Sequence, residues 1–461
     1  MKNIGFVSEA GVTAKSQRNQ KEPRTSHENM EPDSSDRLCE GFATNRVARR
    51  GRIYSNTPYY VKALALGIPA ILLGFQLAGW IGFLQVIADG HPDFRQLYTA
   101  GYMVRTGHAR HLYDYNAQKS FQDALISREQ IALPFNHLAY EGLLLAPFSL
   151  LPFRMAYLAF VGFNITLLWT SFCLARSRLA GLAEVWQWLP LAMFVCFLPI
   201  AAALMQGQDS IVLLTLFTAA LVSLDQGREL RAGALVALGL IKFQICLPIV
   251  LLFLAWRRWR FCIGFALSGA LVGAASLWMV GFAEIGQYLH SLSSMSIGLN
   301  TPADQFRYGI SPIAMANLRG LVFGLANSHW SAIWVQTVTF AISAIVALWV
   351  ILSCRRNMSG ADALLVAIPT SALVSYHLMI HDLSILLLPI ALILSRFIEA
   401  ERFVTKARLI PRAAAFMFVA PMCMAVAPQH FYIVALPLCG FLFILVRCIC
   451  AEGRTNFSFR H

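Results

Sequence analysis

Two charged residues, Asp93 and Lys242, stand beside or inside long apolar stretches of this chain. Lys242 is the only charged residue in the run 232–256, and an ammonium at bilayer depth costs roughly 2.5–3.5 kcal/mol, so it is normally retained for a function. Asp93 follows the first apolar stretch, 61–87, at the depth of lipid headgroup phosphates. A carboxylate there could deprotonate an acceptor hydroxyl that attacks C1 of a phosphate-linked sugar. The alternatives are a solvated aspartate and a lysine that snorkels or pairs with a carboxylate.

Polar residues also mark other boundaries between apolar stretches. Gln208 lies in a Gln-Gly-Gln-Asp motif, where an amide suits a hydroxyl-rich ligand and a tight interhelical turn is the alternative. His381 and Asp382 could orient a phosphate or a sugar hydroxyl, or could form a polar cap between two helices. His137 could approach a sugar or cap a helix. The spacing of His377, His381 and Asp382 is not that of a zinc motif, so we predict no metal site.

The composition places these residues in a membrane protein. The chain has 461 residues, of which 57% are apolar and only 13% charged, with a mean hydropathy of +0.59. The apolar fraction is higher, and the charged fraction lower, than a soluble globular protein needs. The composition therefore predicts an all-α, polytopic membrane protein. We predict about ten full spans and one re-entrant hairpin. The full spans are 61–87, 154–175, 185–204, 210–224, 261–281, 331–353, 361–377, 381–397, 411–427 and 430–449.

Arginine placement predicts the hairpin at 232–256 in place of one straight span. Arginines flank both ends of this run, at Arg228, Arg231, Arg257, Arg258 and Arg260. The positive-inside rule keeps both flanks on the cytoplasmic side, so the chain enters as 232–241, turns near Lys242–Gln244 and returns as 245–256. Non-helical backbone is tolerated at membrane depth where it lines a cavity, so the turn is expected to open onto one.

The same rule accounts for the formal net charge of +13. Most lysines and arginines fall in predicted cytoplasmic segments, so membrane lipids, and not nucleic acid, are the expected partners. Both termini are predicted to be cytoplasmic. Residues 1–57 are expected to form a disordered basic tail, 58–450 a transmembrane domain and 451–461 a second tail. The two long outer loops, 88–153 and 282–330, contain no cysteine, so we expect no disulfides.

The first outer loop carries further candidates. Residues 93–105 have apolar and aromatic side chains at helical spacing, which predicts a helix in the plane of the interface, and a second short helix is expected after Asp114. Arg95 and Tyr98 lie on the first of these helices. A guanidinium suits bidentate contact with phosphate, so we place Arg95 at the donor phosphate and Tyr98 in the substrate pocket.

The order of these motifs resembles that of bacterial integral-membrane glycosyltransferases of the GT-C superfamily, specifically polyprenyl-phosphate-mannose-dependent α-mannosyltransferases. The segments that carry the resemblance are Asp93-Phe94, Tyr113-Asp114, Pro147 to Pro152, Gly207-Gln208, Gly239 to Gln244, Arg258-Trp259-Arg260 and His381-Asp382. The sequence departs from the family pattern at three places. Phe243 replaces a usual Pro, Asp209 replaces a frequent Asn, and Leu138-Ala139 replaces a common Pro-Pro pair.

The resemblance implies that the 58–450 domain is catalytic. It would transfer mannose or another hexose, with inversion, from a polyprenyl-phosphate donor to a lipid or glycan acceptor, at the outer face of the bacterial plasma membrane. The donor is a co-substrate, and no further cofactor is expected. Asp93 would be the general base, and Lys242 and His381 would face the donor phosphate. The residues implied to line the pocket are Gln208, Gln244 and Asp382. A lipid or glycan flippase is the alternative function, and a non-catalytic scaffold is a third.

Overall fold

The computed structural model describes residues 59–296, 306–326, 329–354, 358–399 and 409–452. Within these ranges all regular secondary structure is helical, which confirms the all-α prediction. Eight helices have the length and composition to cross a membrane, or ten if each of two bent pairs counts as one span. The chain is therefore a multi-pass membrane protein. The predicted tail 1–57, and 453–461 of the second tail, lie outside the described residues.

The helices are given in chain order. The first eleven are α1 Tyr59–Ala88, α2 Phe94–Arg105, α3 Tyr115–Leu125, α4 Tyr140–Leu145, α5 Phe153–Ala175, α6 Ala180–Val185, α7 Leu189–Cys196, α8 Leu198–Gln206, α9 Ser210–Asp225, α10 Glu229–Ala237 and α11 Phe243–Ala255. They are followed by α12 Trp259–Val280, α13 Ala283–Ser296, α14 Leu318–Ala326, α15 Ala332–Ser353, α16 Gly360–Val374, α17 Leu387–Glu399, α18 Leu409–Val419, α19 Cys423–Val426 and α20 Ala435–Glu452. Two 3₁₀ segments matter for the site: the hairpin turn Leu238–Lys242 and the segment Ile380–Leu386.

The two helices predicted in the first loop are present as α2 and α3. Helix α2 buries Phe94, Leu97 and Met103, and the Phe94 ring stacks on Phe160 of α5 with centroids 4.9 Å apart. Helix α3 begins because the Asp114 carboxylate accepts the backbone N–H of Asn116 at 2.8 Å. This loop is thus a packed layer on one end of the helix bundle, and it carries Asp93 at the start of α2.

The predicted hairpin is confirmed. By length and composition Glu229–Ala255 could be one span, yet Arg258 donates to Glu229 at 2.8 Å. A straight helix between them would separate these residues by roughly 40 Å at a rise of ~1.5 Å per residue. The backbones of α10 and α12 also approach closely, because Gly264 lies against the Leu230 carbonyl. The chain therefore reverses at the hairpin turn, and Lys242 lies at its far end.

Two predicted full spans are shorter than a bilayer core. Helices α9 and α16 have 16 and 15 residues, about 24 and 22 Å at ~1.5 Å per residue, against a core of ~30 Å. Both are deeply buried, as fully covered Phe217 and Leu364 show. These segments are interior helices enclosed by other helices, and their apolar composition resembles a lipid-facing span because both environments are apolar. The predicted span 185–204 is also bent, by 46° between α7 and α8.

The long loop predicted at 282–330 contains more structure than the sequence suggested. Helix α14 and the helical segment Phe306–Ala314 form a pair bent by 88°. Such a pair is either a broken span or a re-entrant loop. Its glycines and prolines hid the periodicity that would have predicted it.

Candidate active site

Lys242 is held by two buried carboxylates. Its ammonium Nζ lies 2.7 Å from Asp382 Oδ1 and 3.0 Å from Asp209 Oδ1. It also donates to Gln208 Oε1 at 3.5 Å. The hairpin turn brings Lys242 to the N-terminal end of α9, where Asp209 and Gln208 stand, and the Ile380–Leu386 segment supplies Asp382. Opposite charges at these distances, away from water, explain how an ammonium is accommodated in the bundle.

A single glutamine joins this ammonium to Asp93. Gln208 Nε2 donates to Asp93 Oδ2 at 2.9 Å, while its Oε1 faces Lys242. Asp93 is half-buried, in contrast to the fully covered Asp209 and Asp382. The Asp93 carboxylate is therefore oriented from within by Gln208 and remains partly open to the outside of the cluster. This exposure is what a group needs if it is to meet a substrate hydroxyl.

Gly207 makes the contact between Gln208 and Asp93 possible. It ends α8 in the left-handed region at φ +62°, a conformation that glycine adopts without a steric penalty. A Cβ at this position would lie 2.7 Å from Phe94 Cβ. The glycine thus allows α8 to stop against the start of α2, so that the next residue, Gln208, reaches Asp93.

Asp382 is anchored from several directions. Besides Lys242, its Oδ1 accepts the Ser210 hydroxyl at 3.0 Å, and its Oδ2 accepts the Met379 backbone N–H at 3.0 Å. His381 Nε2 lies 3.5 Å from Asp382 Oδ1. Since both carboxylate oxygens are engaged, Asp382 acts in this geometry as a fixed negative charge that positions its neighbours.

A second acidic and basic group continues the cluster on the other side of Asp209. His137 Nδ1 lies 2.5 Å from Glu141 Oε2 and 3.4 Å from Asp209 Oδ2. Burial raises the pKa of Glu141 to about 7, against the opposing effect of His137. Burial would lower the pKa of His137, but the charges of Glu141 and Asp209 outweigh it and raise that pKa. Both shifts favour the protonated forms of this buried pair.

These three residues are also the one candidate metal centre found in the described part of the chain. His137, Glu141 and Asp209 can each present a ligand atom, all within 4.8 Å of one another. However, His137 and Glu141 already hydrogen-bond each other, and Asp209, whose oxygens accept no hydrogen bond from the described residues, lies 3.0 Å from the Lys242 ammonium. A divalent cation would have to displace a proton and stand beside an ammonium, so the prediction of no metal is retained as an expectation.

Not every residue predicted for the site reaches this cluster. The structure brings together Asp93, Gln208, Lys242, His381, Asp382 and His137. Gln244 follows the hairpin turn and is half-buried, and its side chain makes no hydrogen bond to the described residues. No site role was predicted for Asp209, although a buried ammonium requires carboxylate partners and Asp209 directly follows Gln208.

Arg95 and Tyr98 lie away from this cluster. The Arg95 guanidinium is only 2% exposed and donates to Gln122 at 2.9 Å and to the Ser127 hydroxyl at 2.7 Å. It therefore ties α2 to α3 and the loop after it, and does not reach the cluster. The Tyr98 hydroxyl donates to the Leu151 carbonyl at 3.0 Å, inside the aromatic core. Side chains two positions apart on a helix do not share a face, so Arg95 cannot accompany Asp93.

Comparison with known proteins agrees with this architecture. The family model of glycosyltransferase family 87 matches residues 141–376. No curated protein and no solved structure gives a significant match. The matched residues include Glu141, Gln208, Asp209 and Lys242, whereas Asp93 lies before them and the Ile380–Leu386 segment after them. Because the match covers more than half of the 461 residues, the chain belongs to glycosyltransferase family 87.

Proposed function

We propose that this membrane glycosyltransferase transfers mannose or another hexose from polyprenyl phosphate to an acceptor hydroxyl, with Asp93 as the general base. The observation that carries the proposal is the Asp93–Gln208–Lys242 connection, which joins a half-exposed carboxylate to a buried ammonium. A base must be oriented and accessible, and the fixed charges around it must favour the leaving group. The order of motifs that resembles the polyprenyl-phosphate-dependent mannosyltransferases supports the choice of donor.

The proposed reaction balances on these groups. The acceptor hydroxyl loses its proton to Asp93 as its oxygen forms a bond to C1 of the sugar. The bond between C1 and the phosphate oxygen breaks on the opposite face, and its electron pair leaves with polyprenyl phosphate. Gln208 holds Asp93 Oδ2, so we assign proton transfer to Oδ1. No cofactor enters this scheme.

Lys242 takes an indirect role in this proposal. Its ammonium is engaged by Asp209, Asp382 and Gln208, so its role is to hold Gln208 and thereby the base in position. His381, at the edge of the cluster, is the side chain we assign to the donor phosphate. The acceptor is a lipid or glycan carried at the same membrane surface.

Arginine distribution supports the orientation we propose in a bacterial plasma membrane. Ion pairs formed by Arg178, Arg258 and Arg396 lie at the helix ends remote from the cluster. The positive-inside rule assigns such an end to the cytoplasm, which leaves the Asp93 end on the outer face and both termini inside.

Replacing Asp93 with Asn tests the proposal. The amide keeps the size of the side chain but cannot act as the base, so transfer from polyprenyl-phosphate mannose in isolated membranes should fall by about 10²–10⁴-fold. Asp89→Asn is the matched control, because Asp89 is an exposed carboxylate four residues earlier. Full transfer by Asp93→Asn would remove Asp93 as the base. Movement of the lipid-linked sugar across vesicles without covalent transfer would favour the alternative flippase function.

A further inference from the structure

The Tyr140 side chain lies inside the reversal of the chain that carries Lys242. Its hydroxyl donates to the Leu238 carbonyl at 2.8 Å and accepts the Ile241 backbone N–H at 2.9 Å. Tyr140 belongs to α4 in the first loop, and it is only 8% exposed. One phenolic oxygen therefore bridges the first and fourth residues of the hairpin turn, from an element far away in the sequence.

These two backbone groups matter because the hairpin turn is not a continuous α-helix. Lys242, its last residue, has φ −117° and ψ 66°, which breaks the helical hydrogen-bond pattern between α10 and α11. In a 3₁₀ segment the Leu238 carbonyl and the Ile241 N–H form an i, i+3 pair, and the Tyr140 hydroxyl adds a hydrogen bond to each of them. Ile241 is the residue directly before Lys242, so this hydroxyl holds the peptide that precedes the lysine.

Tyr140 is itself fixed at its backbone. Its N–H donates to the Ser276 hydroxyl at 3.0 Å, and Ser276 donates in turn to the Val272 carbonyl within α12. The next residue in the chain is Glu141, which holds His137. Tyr140 therefore connects two parts of the cluster: its neighbour Glu141 holds His137, and its hydroxyl holds the turn that carries Lys242.

We propose that Tyr140 is a positioning residue that sets the place of the Lys242 ammonium between Asp209 and Asp382. This inference rests on the proposed function, since it assumes that the position of Lys242 controls transfer. Tyr140 itself touches no substrate in this account. It acts by fixing the peptide that precedes Lys242, and thereby the direction from which the lysine side chain enters the cluster.

The direct test is Tyr140→Phe, which removes the one oxygen that hydrogen-bonds both backbone groups of the hairpin turn. Transfer from polyprenyl-phosphate mannose should lose roughly ten- to hundredfold in kcat, with a smaller change in KM for the donor. Tyr115→Phe is the matched control, because its hydroxyl also pairs with a backbone group, the Ala132 N–H at 3.0 Å, within the first loop and outside the cluster. A structural defect alone would lower the melting temperature of both variants and leave kcat unchanged.

A double-mutant cycle with Lys242→Arg separates positioning from general stability. The arginine keeps the charge but not the geometry, so adding Tyr140→Phe to it should cost almost nothing further. Additive losses would overturn the inference about Tyr140 and leave the proposed function intact. If Lys242→Arg and Lys242→Met both transfer at the full rate, the role of Lys242 in the proposed function fails instead.

Ser276→Ala keeps the experiment decisive if Tyr140→Phe does not fold. It preserves the phenol but removes the hydroxyl that accepts the Tyr140 backbone N–H. A fall in kcat that is smaller than that of a folded Lys242→Arg variant, and that disappears in the Lys242→Arg background, would support the inference. An unchanged kcat in a folded Ser276→Ala protein would overturn it.

Discussion

At the scale of single residues, the site is a network of buried charges joined to Asp93 by one glutamine. The Lys242 ammonium lies between the Asp209 and Asp382 carboxylates, and Gln208 accepts a hydrogen bond from Lys242 and donates one to Asp93. Removing one member of a buried ion pair typically costs about 3–5 kcal/mol, because the remaining charge loses its partner. The two carboxylates thus explain why the ammonium is stable at this depth, and they limit its freedom to bind a substrate directly.

The His137–Glu141 pair gives this protein a pH dependence that can be measured. The pKa of Glu141 is raised to about 7 in the folded chain, so the folded state holds this proton more tightly than the unfolded state does. The associated stability is present below about pH 4.5 and is lost as the pH rises through about 7, by about 1–3 kcal/mol. The melting temperature in detergent should therefore fall between pH 5 and pH 8.

Glu141→Gln should flatten that profile, because the amide stays neutral at every pH. Glu129→Gln is the control, since Glu129 also pairs with a histidine, His91 at 2.8 Å, but its side chain is 35% exposed. An unchanged pH profile of the melting temperature in Glu141→Gln would contradict the raised pKa of Glu141.

Sequence patterns predicted some of these residues and missed others for identifiable reasons. Lys242 and Asp93 are conspicuous because a charge near an apolar run is unusual, and the structure does connect them through Gln208. The sequence shows the charge of Arg95 but not the direction of its side chain, which in the structure points to Gln122 and Ser127 and away from the cluster. The side-chain direction on α2 depends on where the helix begins and on what it packs against, which is tertiary information.

At the scale of secondary-structure elements, the site is made by helix ends that meet. The end of α8, the start of α9, the hairpin turn and the start of α2 all converge on Gln208 and its neighbours. The basic flanks predicted the hairpin correctly. The short helices α9 and α16 were predicted as full spans because hydropathy measures how apolar a segment is and not whether lipid or protein surrounds it.

Gly207→Ala tests the convergence of these elements. The substitution places a residue with a Cβ in the left-handed region, which should lower the free energy of unfolding by about 1–2 kcal/mol. The new Cβ also clashes with Phe94, and moving α8 away from α2 should destabilise the protein further. We expect a lower melting temperature together with reduced transfer. Gly162→Ala on α5 is the control, because no atom lies within 4 Å of the added Cβ. Equal transfer by both variants would mean that the close approach of α8 to α2 is dispensable.

At the scale of the whole molecule, one helix bundle separates two chemically different ends. Helices such as α1 and α15 are apolar and mostly exposed, as lipid contact requires. In the most apolar 18-residue stretch of each, only 17% of the residues are buried. The ion pairs of Arg178, Arg258 and Arg396 lie at one end and the Asp93 cluster at the other. This asymmetry is what an enzyme needs if it uses a lipid-linked donor at a single membrane surface.

Mass spectrometry of envelope glycans and lipids tests the central claim most directly. The comparison needs a strain lacking the gene, complemented with the wild-type protein or with Asp93→Asn at equal membrane abundance. We predict that one hexose is missing from a lipid or glycan in the deletion strain, returns with the wild-type protein, and stays absent with Asp93→Asn. The same glycans in all strains, or the return of the hexose with Asp93→Asn, would contradict the account.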